Sequence, residues 1–193
     1  MDKNTGHLRL ASEADRPAIE ALISRSVTEL MGSHYSPVQL EAARRHIFGV
    51  DGELLADGTY FVVEARGALV AAGGWSRRRS LFGGDAAVTG RTEGPLLNPA
   101  CDAARIRAFF VHPSHARRGL GRQLLSACID AARDAGFSAL ELVATLSGVG
   151  LYRAAGFTLG EPLELDLPGG VRFPVVRMLA SLAELSRRQS LPC

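Results

Sequence analysis

Apolar residues recur along this chain with two periods, and each change of period marks an element. Ile19, Leu22, Ile23 and Leu30 share one helical face behind Ser12, a capping residue with Asp15 at the capping-box position, and Gly32 is the stop. A second helix opens at Ser36-Pro37, a cap followed by proline at its favoured first position, and carries Val38, Leu40, Ala43 and Ile47 as far as Gly49. Strand periodicity marks Leu8 to Leu10. It returns in Gly58 to Ala65 and Leu69 to Trp75, a hairpin turning at Arg66-Gly67-Ala68. Gly73 and Gly74 inside that second strand predict a bulge or a close backbone approach. Ile106 to Val111 is β-branched and aromatic, and His112-Pro113 ends it. Leu120, Leu124, Leu125, Cys128 and Ile129 then repeat at helical spacing, followed by another strand and a short helix up to Phe157. Thr158 to Leu167 and Arg172 to Leu179 read as two final strands around Pro168-Gly169-Gly170, with Pro174 predicting that its strand is an edge or bulged one. From Ser181 to Cys193 a flexible tail is expected, partly helical at most.

Composition narrows the class. A chain of 193 residues with 47% hydrophobic and 22% charged positions is expected to form one domain, 1–193, with an ordinary buried core. A net charge of +2 is too small to argue for nucleic acid or an anionic membrane. The three cysteines, Cys101, Cys128 and Cys193, make no C-x-x-C pair, so neither a zinc knuckle nor a redox pair is suggested, and no metal is expected. Free thiols, an N-terminus without an apolar signal core and the lack of a membrane-length run lead to the expectation of a cytoplasmic protein.

The local clustering of arginine says more than the total. Arg117-Arg118-Gly119-Leu120-Gly121-Arg122 feeds directly into a helix, so two glycines and three arginines surround its N-terminus. Unpaired N–H groups and the positive end of the helix dipole suit a phosphate there. A Walker loop is excluded because no lysine follows Gly121, and a dinucleotide fingerprint because Leu124 stands where its third glycine belongs.

Phe109-Phe110-Val111-His112-Pro113, then Arg117 to Arg122, then Leu151-Tyr152-Arg153-Ala154-Ala155-Gly156-Phe157 together resemble the GNAT superfamily, the Gcn5-related N-acetyltransferases. The resemblance covers Ala104 to Phe157, the acetyl-CoA half of that fold. It implies a mixed α/β fold: a central, mostly antiparallel, twisted sheet of about seven strands with helices on both faces, splayed between the fourth and fifth strands. It also implies acetyl-CoA as acetyl donor, its pyrophosphate on Arg117, Arg118, Gly119, Leu120, Gly121 and Arg122. The pantetheine arm would lie along Phe109, Phe110 and Val111 as a false extra strand. Two positions depart from the pattern. Ala116 stands where most members carry Gln or Arg, and Ala144 to Gly148 lacks the usual Asn, so Thr145 or Ser147 takes over that contact.

Acetyl transfer to an amine needs a base, a stabilised carbonyl oxygen and an acid for the departing thiolate. The resemblance makes Tyr152 the acid, and a backbone N–H of Phe109 to Val111 the oxygen's partner. The base stays open among Asp102, Glu141, Glu93, a water relay and a substrate that arrives deprotonated. Glu141 reads better as a cross-strand partner of Arg105 or Arg107. Those two arginines, if turned into the cleft, would hold a carboxylate or phosphate, so the expected acceptor is a small amine with an anionic group. Trp75 is a candidate wall of the acceptor pocket, although core packing is its default, and His34 and His46 read as surface histidines. Arg77-Arg78-Arg79 reads as a solvated face or an anion clamp, and the stretch from Gly83 to Ala103 as a flap over the acceptor site.

The expected activity is therefore acetyl-CoA-dependent N-acetylation of a small-molecule amine by direct transfer in a ternary complex. A protein N-acetyltransferase and a non-catalytic acyl-CoA sensor on the same fold are the alternatives, and a homodimer is a family-level expectation. Nucleic acid and membrane are not expected partners.

Overall fold

The computed structural model describes residues 6–80 and 95–189. Seven strands form one sheet in the order β1-β2-β3-β4-β5-β7-β6: β1 (His7–Leu10), β2 (Tyr60–Ala65), β3 (Ala68–Ser76), β4 (Ala104–Val111), β5 (Ala139–Thr145), β6 (Thr158–Leu167) and β7 (Val171–Ser181). Every pairing is antiparallel except β4 with β5, which is parallel and spans only Ala104↔Leu140 and Arg105↔Glu141. Beyond Arg105 the two strands diverge, and the sheet splits into a wedge.

Helices cover both faces. α1 (Arg16–Leu30), α2 (Pro37–His46) and the short α3 (Gly52–Ala56) lie on one face, where Ile19, Val27, Ala43 and Leu54 pack with Tyr60, Val62, Phe110 and Phe173. On the other, α4 (Leu120–Asp134) buries Leu125, Cys128 and Ile129 against Ile106, Leu140 and Met178. The apolar spacing of these helices accounts for both layers, because each needs one buried stripe. α5 (Val149–Ala155) ends at Gly156 in the left-handed conformation, the usual C-terminal glycine signal.

Four sequence expectations change here. Glu13–Asp15 is a 3₁₀ turn under a complete Ser12–Asp15 capping box, with α1 beginning at Arg16. α3 was hidden because five residues carry no periodicity, yet Asp51 caps it by accepting the Leu54 N–H at 3.2 Å. The expected tail starts as α6 (Leu182–Gln189), with Leu182 and Leu185 buried in the core. Pro174 sits in β7, an interior strand rather than an edge one. It is tolerated because pairing with β5 stops at Thr145↔Val175, so no N–H is required on that side. Its carbonyl turns the same way and accepts from Tyr35 Oη at 2.9 Å.

Candidate functional site

The wedge between β4 and β5 opens into a cleft of about 760 Å³. It begins with a defect in β4. On one side of it Ala72 pairs with Phe110, and on the other Gly74 pairs with Arg107, so Gly73 faces both Ala108 and Phe109. Ala108 is the extra residue, with φ +57, and this is a β-bulge. Gly73 makes it possible: a Cβ there would stand 2.7 Å from two carbons of the Phe109 ring. Tyr60, fully buried, supports the bulge by donating its hydroxyl to the Ala108 carbonyl at 3.4 Å.

Past the bulge the backbone amides can be assigned to sides. His112 N–H donates to Val70 O at 2.8 Å, so by alternation the Phe109 and Val111 amides point to the other edge. There β5 has moved away. These groups are left for a ligand or water, since backbone polar groups are seldom buried unpaired.

At one end of the cleft the N-terminus of α4 is capped by Gly119 in the left-handed conformation, φ +86, with no acidic residue in the first turn. The preceding Arg117 is also left-handed, φ +63, a strain that non-glycine residues seldom carry. Gly121 lets this turn close on α5, because its Cβ would lie 3.0 Å from Leu151 Cδ2. Arg117, Gly119, Leu120, Gly121 and Arg122 all border the cleft, while Arg118 does not. His115 borders it too, and burial followed by the nearby Arg118, His112 and Arg66 pushes its pKa down. Thr145 and Ser147 line the opposite wall, their hydroxyls 3.1 Å apart.

Tyr152 borders the middle of the cleft, edge-on to Phe109 (ring centroids 6.0 Å) and Phe157 (5.7 Å). Burial, and secondarily Cys128, pushes its phenol pKa up, so it stays protonated. Phe109, Phe110, Val111 and Tyr152 thus meet the α4 turn around one space, as do Thr145 and Ser147. That space has the features acetyl-CoA requires: an open strand edge for an amide-bearing arm and a cationic helix N-terminus for a pyrophosphate.

The substrate-side candidates are placed differently. Trp75 is packed in the core edge-on to Phe137, centroids 6.1 Å, and does not border the cleft. Arg105 is paired with Glu141, whose other oxygen accepts from Arg177 Nε at 2.5 Å. Glu141 is therefore a cross-strand partner, and burial pushes the Arg105 pKa down. Arg107 reaches the cleft margin, but its side chain is only 2% exposed, 3.1 Å from Asp51 and 3.1 Å from Glu53. It ties α3 to the bulged strand. Asp102 accepts the Asn98 N–H in a tight turn, and Glu93 falls outside the described residues. Within Arg77-Arg78-Arg79, Arg78 forms a two-pronged pair with Asp57 at 2.8 and 2.7 Å. The described part of the expected flap is anchored: Leu97 is buried and donates its N–H to Arg77 O at 2.7 Å. Residues 83–94 of that stretch lie outside the described residues.

Two residues gain importance. His34, read as a surface histidine, is exposed and also borders the cleft, while His46 does not. Tyr35 stacks on Phe173 at 4.2 Å, and its hydroxyl joins β7 to the end of β5 by accepting the Leu146 N–H at 2.7 Å. Nothing local in the sequence marks Tyr35, whose partners lie 111 and 139 positions away.

The Acetyltransferase (GNAT) family model matches residues 25–157. No curated protein matches the chain. Among solved structures, a GCN5-related N-acetyltransferase from Rhodopseudomonas palustris is similar, with TM-score 0.67 and 18% identity, over 94% of this chain and 98% of that one. YncA from Salmonella typhimurium, solved with its cofactor acetyl-CoA, gives 0.61 and 20% over 93% and 95%. A phosphinothricin acetyltransferase from Sinorhizobium meliloti, in complex with acetyl-CoA, gives 0.60 and 20% over 92% and 88%. At these identities the likeness is one of fold.

Proposed function

This chain belongs to the GNAT family of acetyltransferases, and we propose that, as a single domain, it carries the acetyl group of acetyl-CoA directly to a primary amine of a small molecule within a ternary complex. The observation that carries the reading is the junction of an unpaired strand edge at Phe109 and Val111 with the Arg117–Arg122 turn and Tyr152 around one cleft. Arg117 and Arg122 and the amides behind Gly119 hold the pyrophosphate, the β4 edge holds the arm, and Thr145 or Ser147 adds a hydroxyl.

In the transfer the amine nitrogen bonds to the thioester carbon, the carbon–sulfur bond breaks, and the pair goes to sulfur. A β4 amide beside the bulge stabilises the carbonyl oxygen as charge builds. The Tyr152 phenol faces the departing sulfur. Its raised pKa lies above that of an ordinary thiol, so it stabilises the thiolate chiefly by donating a hydrogen bond, and the proton balance is completed from solvent. The nitrogen's own proton leaves to water at the cleft mouth, which His34 borders.

The test has two parts. Acetyl-CoA at about 100 times its Kd should stabilise the parent by roughly 2.7 kcal/mol, seen as a raised Tm, and Gly119→Glu should abolish the shift while remaining folded. Tyr152→Phe should keep the shift and lose about 10²-fold or more in kcat. A parent without a shift refutes the cofactor reading, and an undiminished Tyr152→Phe refutes the acid.

A further inference from the structure

Both arginines expected to greet an anionic acceptor already have carboxylate partners. Arg105 faces Glu141, and Arg107 is enclosed with Asp51 and Glu53. Arg177 and Arg78 are likewise engaged, with Glu141 and Asp57. A carboxylate brought to Arg105 or Arg107 would have to displace one of these partners, and that is costly.

What the cleft presents beyond the bulge is apolar. Met31 and Ile47 come from the α1 and α2 ends, Phe48 from the loop after α2, Leu165 from β6, and Phe173 and Val175 from β7. Three rings form a box. Phe48 stands edge-on to Phe110 (centroids 5.8 Å, interplanar 88°) and to Phe173 (5.9 Å, 79°). Tyr35, stacked on Phe173 and hydrogen-bonded through its hydroxyl to β5 and β7, fixes the back of the box. Phe48 is half-buried, whereas Phe110 and Phe173 are buried beneath it. Among the described residues, the polar exceptions at this end are Ser26, which is buried, His34, which is exposed, and the paired Arg107. The same Phe110 belongs to the strand that would hold the donor arm, so the box adjoins the reacting position.

From this we infer the class of acceptor, resting on the transfer reading above: a primary amine on an uncharged apolar body, aromatic or branched aliphatic, packed on the half-buried Phe48, Ile47 and Leu165 over the buried Phe110 and Phe173. The amine end points back toward Tyr152. Specificity comes from apolar contact on one side and from the unpaired desolvation that excludes an anionic body on the other.

A matched pair isolates the claim. Benzylamine and 4-(aminomethyl)benzoate carry the same nucleophile and differ in one distant carboxylate. With acetyl-CoA saturating, benzylamine and 3-methylbutylamine should exceed 4-(aminomethyl)benzoate, glutamate and a lysine-containing peptide in kcat/KM by at least tenfold. Phe48→Ala should lower kcat/KM for benzylamine about tenfold or more and leave the KM for acetyl-CoA within about twofold. Phe48→Leu, which keeps an apolar body, should fall between and serves where the alanine variant fails to fold.

Calorimetric titration of benzylamine into the protein, without acetyl-CoA, separates the two levels of the reading. Binding that weakens in the Phe48 variants, with no acetylation, supports the box and refutes amine transfer. Turnover that favours the carboxylate or the peptide refutes the box and leaves transfer standing. Benzylamine that neither binds nor reacts overturns the inference outright.

Discussion

Replacing Tyr35 by phenylalanine removes one oxygen and little else. The ring keeps its parallel stack on Phe173 at 4.2 Å, so packing is conserved. Two hydrogen bonds disappear: the one Tyr35 Oη accepts from Leu146 N–H at 2.7 Å and the one it donates to Pro174 O at 2.9 Å. Each ordinary hydrogen bond contributes about 1 kcal/mol net, and a partner stranded without water costs about 1–3 kcal/mol. The expected loss is therefore about 2–4 kcal/mol, a fall in Tm of roughly 4–16 °C for a domain of this size. A second signature follows from charge. Burial raises the Tyr35 pKa to about 12, with the Leu146 N–H as a smaller opposing influence. The folded state thus holds this proton more tightly than an unfolded chain, whose phenol titrates at about 10. The stabilisation is complete below pH about 10 and disappears as pH rises through about 12. Urea unfolding at pH 8 and at pH 11 measures both effects: the gap between parent and variant should shrink at the higher pH. A loss below about 0.5 kcal/mol at pH 8 would show that the β5–β7 tie does not hold the wedge.

Two further perturbations probe the bulge and the acid limb. Gly73→Ala puts a methyl 2.7 Å from the Phe109 ring and should cost about 1–3 kcal/mol while weakening acetyl-CoA binding, measured by calorimetry. Unchanged affinity would mean that the Phe109 ring does not shape the donor site. Asp57 is held below the usual carboxylate range chiefly by its hydrogen bonds to Arg78. A depressed folded pKa gives stability that is present above about pH 4 and lost as pH falls below it. Asp57→Asn should therefore lower Tm at pH 7 and narrow the parent's drop between pH 7 and pH 3.5; equal drops in both proteins would refute the assignment.

The elements that read clearly from sequence are those whose signals are local. The capping box at Ser12, the cap and proline at Ser36-Pro37, the positive-φ hairpin turn at Arg66-Gly67, and Gly119 before α4 each act within a few residues. The Gly73-Gly74 pair likewise announced the close approach that β4 makes. Charge pairing read through only for Glu141, expected opposite Arg105 or Arg107, because pairing depends on which elements become neighbours. Arg105 meets that Glu141 on β5, whereas the carboxylates around Arg107 come from Asp51 and Glu53 at α3. A two-residue spacing tells that a side chain faces a layer; it cannot tell that the layer already carries the opposite charge. Trp75 illustrates the same limit, since Phe137 claims it from 62 positions further along.

The wedge itself explains why this sheet can be both stable and reactive. β5 does not lose pairing when it leaves β4, because β7 satisfies its other edge continuously from Ala139↔Ser181 to Thr145↔Val175. β4 likewise keeps β3 through the bulge. The cost of the split falls on the inner edges alone, mainly the outward amides of Phe109 and Val111. Water can satisfy those until a ligand with its own amides replaces it. The strands are kept apart by the Phe110–Phe48–Phe173 plug on one face, and Tyr35 pins the far strand at Leu146. The donor edge and the apolar box are thus two consequences of one packing event. Truncating the fully buried Phe173 should damage both sites at once, whereas trimming the half-buried Phe48 should damage the box alone and a change at the α4 turn the donor site alone.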